Sequence, residues 1–165
     1  MSYSSELKNN MQYIGKLVFS EDSIKFNTPN ITSTGRINQK HFIELGDIVY
    51  SLYCGDTLMK IGKAAGSSGW YGRVREYTKK RYNKNNKDTW DQTTTKMYNH
   101  MSLIGHTELL IYAVQSPRIE HTLTSICSGK TYIEQIETAG GYEQILIQEA
   151  MLNGETLPLC REIIK

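Results

Sequence analysis

Between Lys60 and Lys87 the chain carries nine basic residues (Lys60, Lys63, Arg73, Arg75, Lys79, Lys80, Arg81, Lys84 and Lys87) against one acid, Glu76. This run holds a surplus of +8 in a chain whose net charge is +2, so the remaining residues sum to −6. Cations at this density pair with phosphates, and Arg adds a planar fork that fits phosphate oxygens. Trp70, Tyr71, Tyr77 and Tyr82 are interleaved with the charges, followed by Asn83, Asn85 and Asn86, groups that stack on bases or donate to phosphates. The pattern fits a nucleic-acid contact surface whose candidate residues are Lys63, Trp70, Arg75, Lys79, Lys80, Arg81, Lys84 and Lys87. A solvated basic helix face would have the same composition, and charge alone does not separate the two.

The elements that would position these residues can be read from pattern. Residues 47–54, DIVYSLYC, form a dense β-branched and aromatic run, Gly55-Asp56 supplies turn chemistry, and LMKIG at 58–62 completes an antiparallel hairpin. From Trp70 to Arg81, Val74 and Tyr77 share one face of a short amphipathic helix. Residues 88–101 are weakly helical, and TELLIYAV at 107–114 reads as a third strand. Residues 118–137 alternate as a second hairpin. Gly140-Gly141 is expected to break the chain, and the following helix, 142–153, places Ile145, Gln148, Glu149 and Leu152 at helical spacing before Gly154 ends it. Upstream, MQYIGKLVF at 11–19 suits a strand and NTPNITSTG at 27–35 a loop. Residues 1–45 are thus expected to be an N-terminal extension, a DNA-contacting or dimerisation arm, on a domain spanning 46–165.

The order of polar residues on these elements resembles the GIY-YIG nuclease superfamily. Ile48-Val49-Tyr50 stands for its first motif, with Ile48 in place of the Gly, and Lys60-Ile61-Gly62 for its second. Arg73 precedes Tyr77 by one helical turn, and Glu149 in LIQEAMLN matches the family's metal-binding Glu. With Gly129-Lys130-Thr131-Tyr132 before the Glu-bearing helix, the chain is most similar to the small type II restriction endonucleases of that family, over residues 46–153. The resemblance implies an α+β fold with a small central antiparallel sheet of three core strands flanked by helices, an N-terminal extension and an inserted β-hairpin. It implies a sequence-specific, Mg²⁺-dependent (or Mn²⁺-dependent) endonuclease of double-stranded DNA, acting as a homodimer, with a cognate DNA methyltransferase as a partner in the host. A non-catalytic DNA-binding module or a phage or mobile-element nuclease on the same fold is the alternative.

Phosphodiester hydrolysis needs a placed water, a proton acceptor, and cations to offset charge on the phosphorane. Tyr50 could take or relay the water's proton if a neighbouring cation, for which Lys60 is the candidate, lowers its pKa from the ordinary ~10. Arg73 would hold non-bridging oxygens, Tyr77 would bond the phosphate or assist proton transfer, and Glu149 would supply a hard oxygen to the metal. Glu143, one and a half turns earlier, is the rival ligand. His100 or His106 would be the substitute base.

Other classes fit less well. At 165 residues the chain has the length of one domain, and no apolar run approaches the ~20 residues that span a bilayer. No membrane partner is expected, and the absence of a hydrophobic N-terminal stretch points to the cytoplasm. Cys54, Cys127 and Cys160, and the four His residues, lack the spacing of a zinc site or disulfide framework.

Overall fold

Strand Ile48–Cys54 is apolar at nearly every position, and a strand of that kind must be covered on both faces. In the computed structural model, which describes residues 1–28, 46–82 and 88–160, this is what happens. The elements in chain order are α1 (Tyr3–Asn9), β1 (Gln12–Ser20), β2 (Ser23–Asn27), β3 (Ile48–Cys54), β4 (Thr57–Ala64), α2 (Gly69–Thr78), β5 (Arg81–Tyr82), β6 (Asp88–Thr89), α3 (Gln92–Ile104), β7 (Glu108–Gln115), β8 (Arg118–Thr124), β9 (Thr131–Glu137) and α4 (Ala139–Leu152). Five strands form one antiparallel sheet in the order β2-β1-β7-β3-β4. On one face, Ile48, Tyr50 and Leu52 pack with Trp70, Val74 and Tyr77 of α2 and Met97 and Met101 of α3. On the other, Val49, Tyr53, Leu58 and Ile61 pack with Leu7 of α1 and Ala139, Ile147 and Ala150 of α4. The class is α+β, and the three expected core strands lie side by side as β7-β3-β4.

The sheet is wider than the sequence suggested. Residues 12–27, expected within an appended arm, supply β1 and β2, with Leu17 opposite Leu109 of β7. Leu17, Phe19, Ile24 and Phe26 are buried in the same core as β3, so this part of the extension is integral to the domain. Most of the loop expected at 27–35 lies outside the described residues.

Two local features set the site. In the β3–β4 pairing Leu52 faces Lys60 while Tyr53 faces Leu58, so Met59 is an extra, bulged residue. Beyond the bulge Tyr50 pairs with Gly62, which puts Tyr50, Lys60 and Gly62 on one face of the sheet next to its β4 edge, where among the described residues no further strand is added. The second feature is the phase of α4. The helix begins at Ala139, so Gly140 and Gly141 lie within its first turn instead of breaking the chain. Its buried positions are Ala139, Ile147 and Ala150, whereas the expected stripe of Ile145, Gln148, Glu149 and Leu152 points to solvent.

The inserted hairpin, β8–β9, is present as expected. Its root is fastened to the domain: Arg118 Nε donates to Asp47 Oδ2 at 2.7 Å, and the hydroxyls of Ser116 and Thr138 lie 2.6 Å apart. The bond from Arg118 holds the Asp47 carboxyl below the usual carboxylate range. Beyond the root, among the described residues, the two strands pair only with each other.

Candidate active site

Tyr50 projects from β3 over Gly62 of the neighbouring strand. A Cβ at Gly62 would stand 2.6 Å from both Cζ and Oη of Tyr50, so only a residue without a side chain leaves room for the phenol. The ring packs against Trp70, centroid to centroid 5.2 Å, and its Oη lies 2.5 Å from the Oη of Tyr77. Val74 and Tyr77 are buried on the same side of α2 as Trp70, the one-face spacing of an amphipathic helix. The expected helical pairing of Arg73 with Tyr77 thus becomes a real cluster with Tyr50.

Burial pushes Tyr50 up to about 12, against the lowering influence of Arg73 and of the Tyr77 hydrogen bond. Tyr77 is raised as well, by burial and by Tyr50. Both phenols are therefore protonated at neutral pH. This corrects the expectation of a lowered phenol: the cation acting on Tyr50 is Arg73, from α2, and desolvation outweighs it. Lys60 is buried and donates from Nζ to the carbonyl of Leu159 at 3.4 Å.

Arg73 reaches past α2 to the sheet edge. One terminal nitrogen donates to the Lys63 carbonyl of β4 at 3.1 Å, and the other to Glu76 Oε2 at 2.5 Å. Burial works against its charge, but Tyr50, Tyr77, Glu76 and Glu143 around it keep the guanidinium firmly protonated. Its Nε is buried with no hydrogen-bond partner among the described residues.

The carboxylate that joins this group from the opposite layer is Glu143. Its charge acts on both Tyr50 and Arg73. It stands four residues after Ala139 and four before Ile147, on the inward stripe of α4, and is half-buried. Glu149, chosen from sequence, is placed elsewhere: its Oε2 accepts a 3.1 Å bond from Tyr3 of α1, in a groove with Glu6, Asn10, Leu146 and Asn153. The signal for Glu143 was in the sequence, in its spacing from Ala139, Ile147 and Ala150.

The donor set can be tested against a metal. Among the described residues no three His, Cys, Asp or Glu side chains gather at one point, which does not suit zinc. One carboxylate beside a half-buried guanidinium does suit Mg²⁺, which keeps several waters and shares substrate oxygens. The residue that would hold it is Glu143.

The expected DNA-contacting residues divide into three groups. Arg75, Lys79 and Arg81 are exposed, and the Arg75 guanidinium lies 5.7 Å from the Tyr71 ring centroid. Lys63 and Lys80 are partly buried and engaged: Lys80 is 2.5 Å from Asp22 Oδ1 and 4.5 Å from the Trp90 centroid, while Lys63 Nζ lies over Gly140 of α4. Trp70 is corrected, because it is fully buried between Phe26 and Tyr50 and presents no face to a base. Lys84 and Lys87, with Asn83, Asn85 and Asn86, lie outside the described residues. Of the substitute bases, His100 belongs to α3, and His106 lines a separate groove with Phe19, Tyr98 and Met101.

No family model matches the chain, and no curated protein matches it either. Two solved structures are similar to it. One is restriction endonuclease HPY188I in complex with product DNA, at TM-score 0.47 and 21% identity, covering 93% of this chain and 81% of that one. The other is a glutamate-to-alanine mutant of bacteriophage T4 EndoII, at TM-score 0.53 and 20% identity, covering 89% of this chain and 94% of that one. The overlap with T4 EndoII extends through nearly the whole of both chains and shows that this chain shares the fold of that protein.

Proposed function

We propose that the chain is a Mg²⁺-dependent, site-specific endonuclease of double-stranded DNA of the GIY-YIG type, working as a homodimer in the manner of type II restriction enzymes. The observation that carries this reading is the meeting of Tyr50 and Tyr77 beside Gly62, with Arg73 bound to the β4 edge and Glu143 of α4 near enough for its charge to act on Tyr50 and Arg73. The fold shared with T4 EndoII and the basic run from Lys60 to Lys87 support it.

In this reading the scissile phosphate rests against Arg73, whose guanidinium holds a non-bridging oxygen and whose fixed charge offsets the extra negative charge of the phosphorane. Water oxygen adds to phosphorus as the bond to the leaving oxygen breaks; the proton the water gives up passes to solvent, and the leaving oxygen takes one up from solvent. Tyr50 and Tyr77 are protonated, so Oη of Tyr50 orients the water and does not serve as a standing base. Mg²⁺, when held by Glu143, would supply charge neutralisation and an acidified water. Arg75, Lys79 and Arg81 on the exposed surface following the site track the flanking phosphates.

The test is cleavage of plasmid DNA with MgCl₂ by three proteins. The wild type and Glu149→Ala are expected to give discrete fragments and Glu143→Ala none. Cleavage that survives Glu143→Ala would remove this carboxylate from the site. Retarded but uncut DNA with the wild type would instead favour the non-catalytic binding module.

A further inference from the structure

The β8–β9 hairpin has two unlike faces. On one, the cross-strand pairs are Ile119 with Ile136, His121 with Glu134, and Leu123 with Tyr132. On the other they are Arg118 with Glu137, Glu120 with Gln135, Thr122 with Ile133, and Thr124 with Thr131, polar apart from Ile133. The polar face satisfies itself, with Gln135 Nε2 donating to Glu120 Oε1 at 2.9 Å and Arg118 bound to Asp47. Among the described residues nothing covers the apolar face: Ile119 is 56% exposed, Leu123 46%, Tyr132 57% and Ile136 41%. An isolated two-stranded hairpin is marginal in water and needs something packed on its apolar side.

We propose that this face is the homodimer contact, packed on the same face of a second copy; the inference deepens the reading of the chain as a twofold nuclease and rests on it. The pattern is self-complementary. A twofold axis parallel to the strands lays β8 of one copy over β9 of the other. Ile119 then meets the partner's Ile136, Leu123 meets the partner's Tyr132, and at the centre His121 meets the partner's Glu134, an imidazole N–H against a carboxylate. Duplex DNA is the less suitable occupant. Residues 118–137 contain two basic residues, Arg118 and Lys130, against Glu120, Glu134 and Glu137, and neither base lies on the apolar face.

Sedimentation velocity of the purified chain, without DNA or Mg²⁺, reads the contact independently of any nuclease activity. The wild type is expected at twice 18.9 kDa and Ile136→Glu at 18.9 kDa, still folded by circular dichroism, while Thr122→Glu on the opposite face stays dimeric. His121→Glu should weaken association by at least about tenfold, and adding Glu134→Lys should restore it. A monomeric wild type at micromolar concentration, or a dimeric Ile136→Glu protein, overturns the assignment. So does a duplex-DNA gel shift lost in Ile136→Glu while the dimer mass persists, which would make DNA the occupant. An inactive wild type that still dimerises through this face would refute the nuclease reading alone.

Discussion

Two glutamates on α4 differ more in their surroundings than in their sequence context. Glu143 and Glu149 are six residues apart, which on an α-helix separates their directions by about 120°. Glu143 lies on the stripe with Ala139, Ile147 and Ala150, and its charge acts on Tyr50 and Arg73. Glu149 turns to α1, where Tyr3 Oη donates to it and to the Leu146 carbonyl, both at 3.1 Å. There burial, together with Glu149, raises the Tyr3 phenol well above its ordinary value. The difference teaches that residue type and helix membership do not decide which way a carboxylate faces; its phase against the buried stripe does.

The sharpest way to break the comparison is to remove each carboxylate. Glu143→Ala is expected to lower cleavage by on the order of 10³-fold, several kcal/mol of transition-state stabilisation, with the fold intact by circular dichroism. A smaller loss than Glu149→Ala would reverse the assignment of the two faces. Next comes Gly62→Ala, where the new methyl would press on a Tyr50 ring already held by Trp70 and Tyr77. Overpacking of this kind costs about 1–3 kcal/mol, or roughly 3–10 °C in melting temperature, and displacing the phenol should cost about 10²-fold in rate.

Tyr50→Phe tests the buried phenol through pH. The folded-state value near 12 lies above the ordinary ~10, so between these values the unfolded chain has released a proton that the folded chain still holds. Stability should be constant below about pH 10 and fall from there towards pH 12, by on the order of 2 kcal/mol for this group. Thermal melts across that range should show a shallower decline in Tyr50→Phe; an unchanged slope would mean the phenol is not held in its acid form by burial. The smallest effect belongs to Glu149→Ala. Tyr3 keeps its bond to the Leu146 carbonyl, so the loss should be about 1 kcal/mol or less, with near wild-type cleavage.

Much of the scaffold was legible because short-range pattern dictates it. The run at 47–54, the Gly55-Asp56 turn, the apolar strand at 107–114 and the alternation at 118–137 each identify an element within a few residues of its observed bounds. Tyr50, Arg73 and Tyr77 were also legible, because strand pairing and one helical turn bring them together. The phase of α4 was harder. Ile145 and Leu152 look like core residues, yet both are exposed, and the small residues Ala139 and Ala150 take the inward positions. Small side chains carry little hydrophobic signal but allow a helix to approach a sheet closely. Trp70 failed for the opposite reason: an aromatic among cations reads as a stacking platform, and only the packing of Phe26 from β2 against it shows a core residue.

The sequence by itself determined the α+β class, the central hairpin, the basic segment and the elements that carry Tyr50, Arg73 and Tyr77, since alternation, turn chemistry and helical period act over a few residues. Tertiary structure decided the rest. It drew β1 and β2 into the sheet, turned Glu143 and not Glu149 towards Arg73, and raised Tyr50 through burial. Each of these depends on contacts between distant segments, whose energies are set only when the sheet and its two helical layers close on one another.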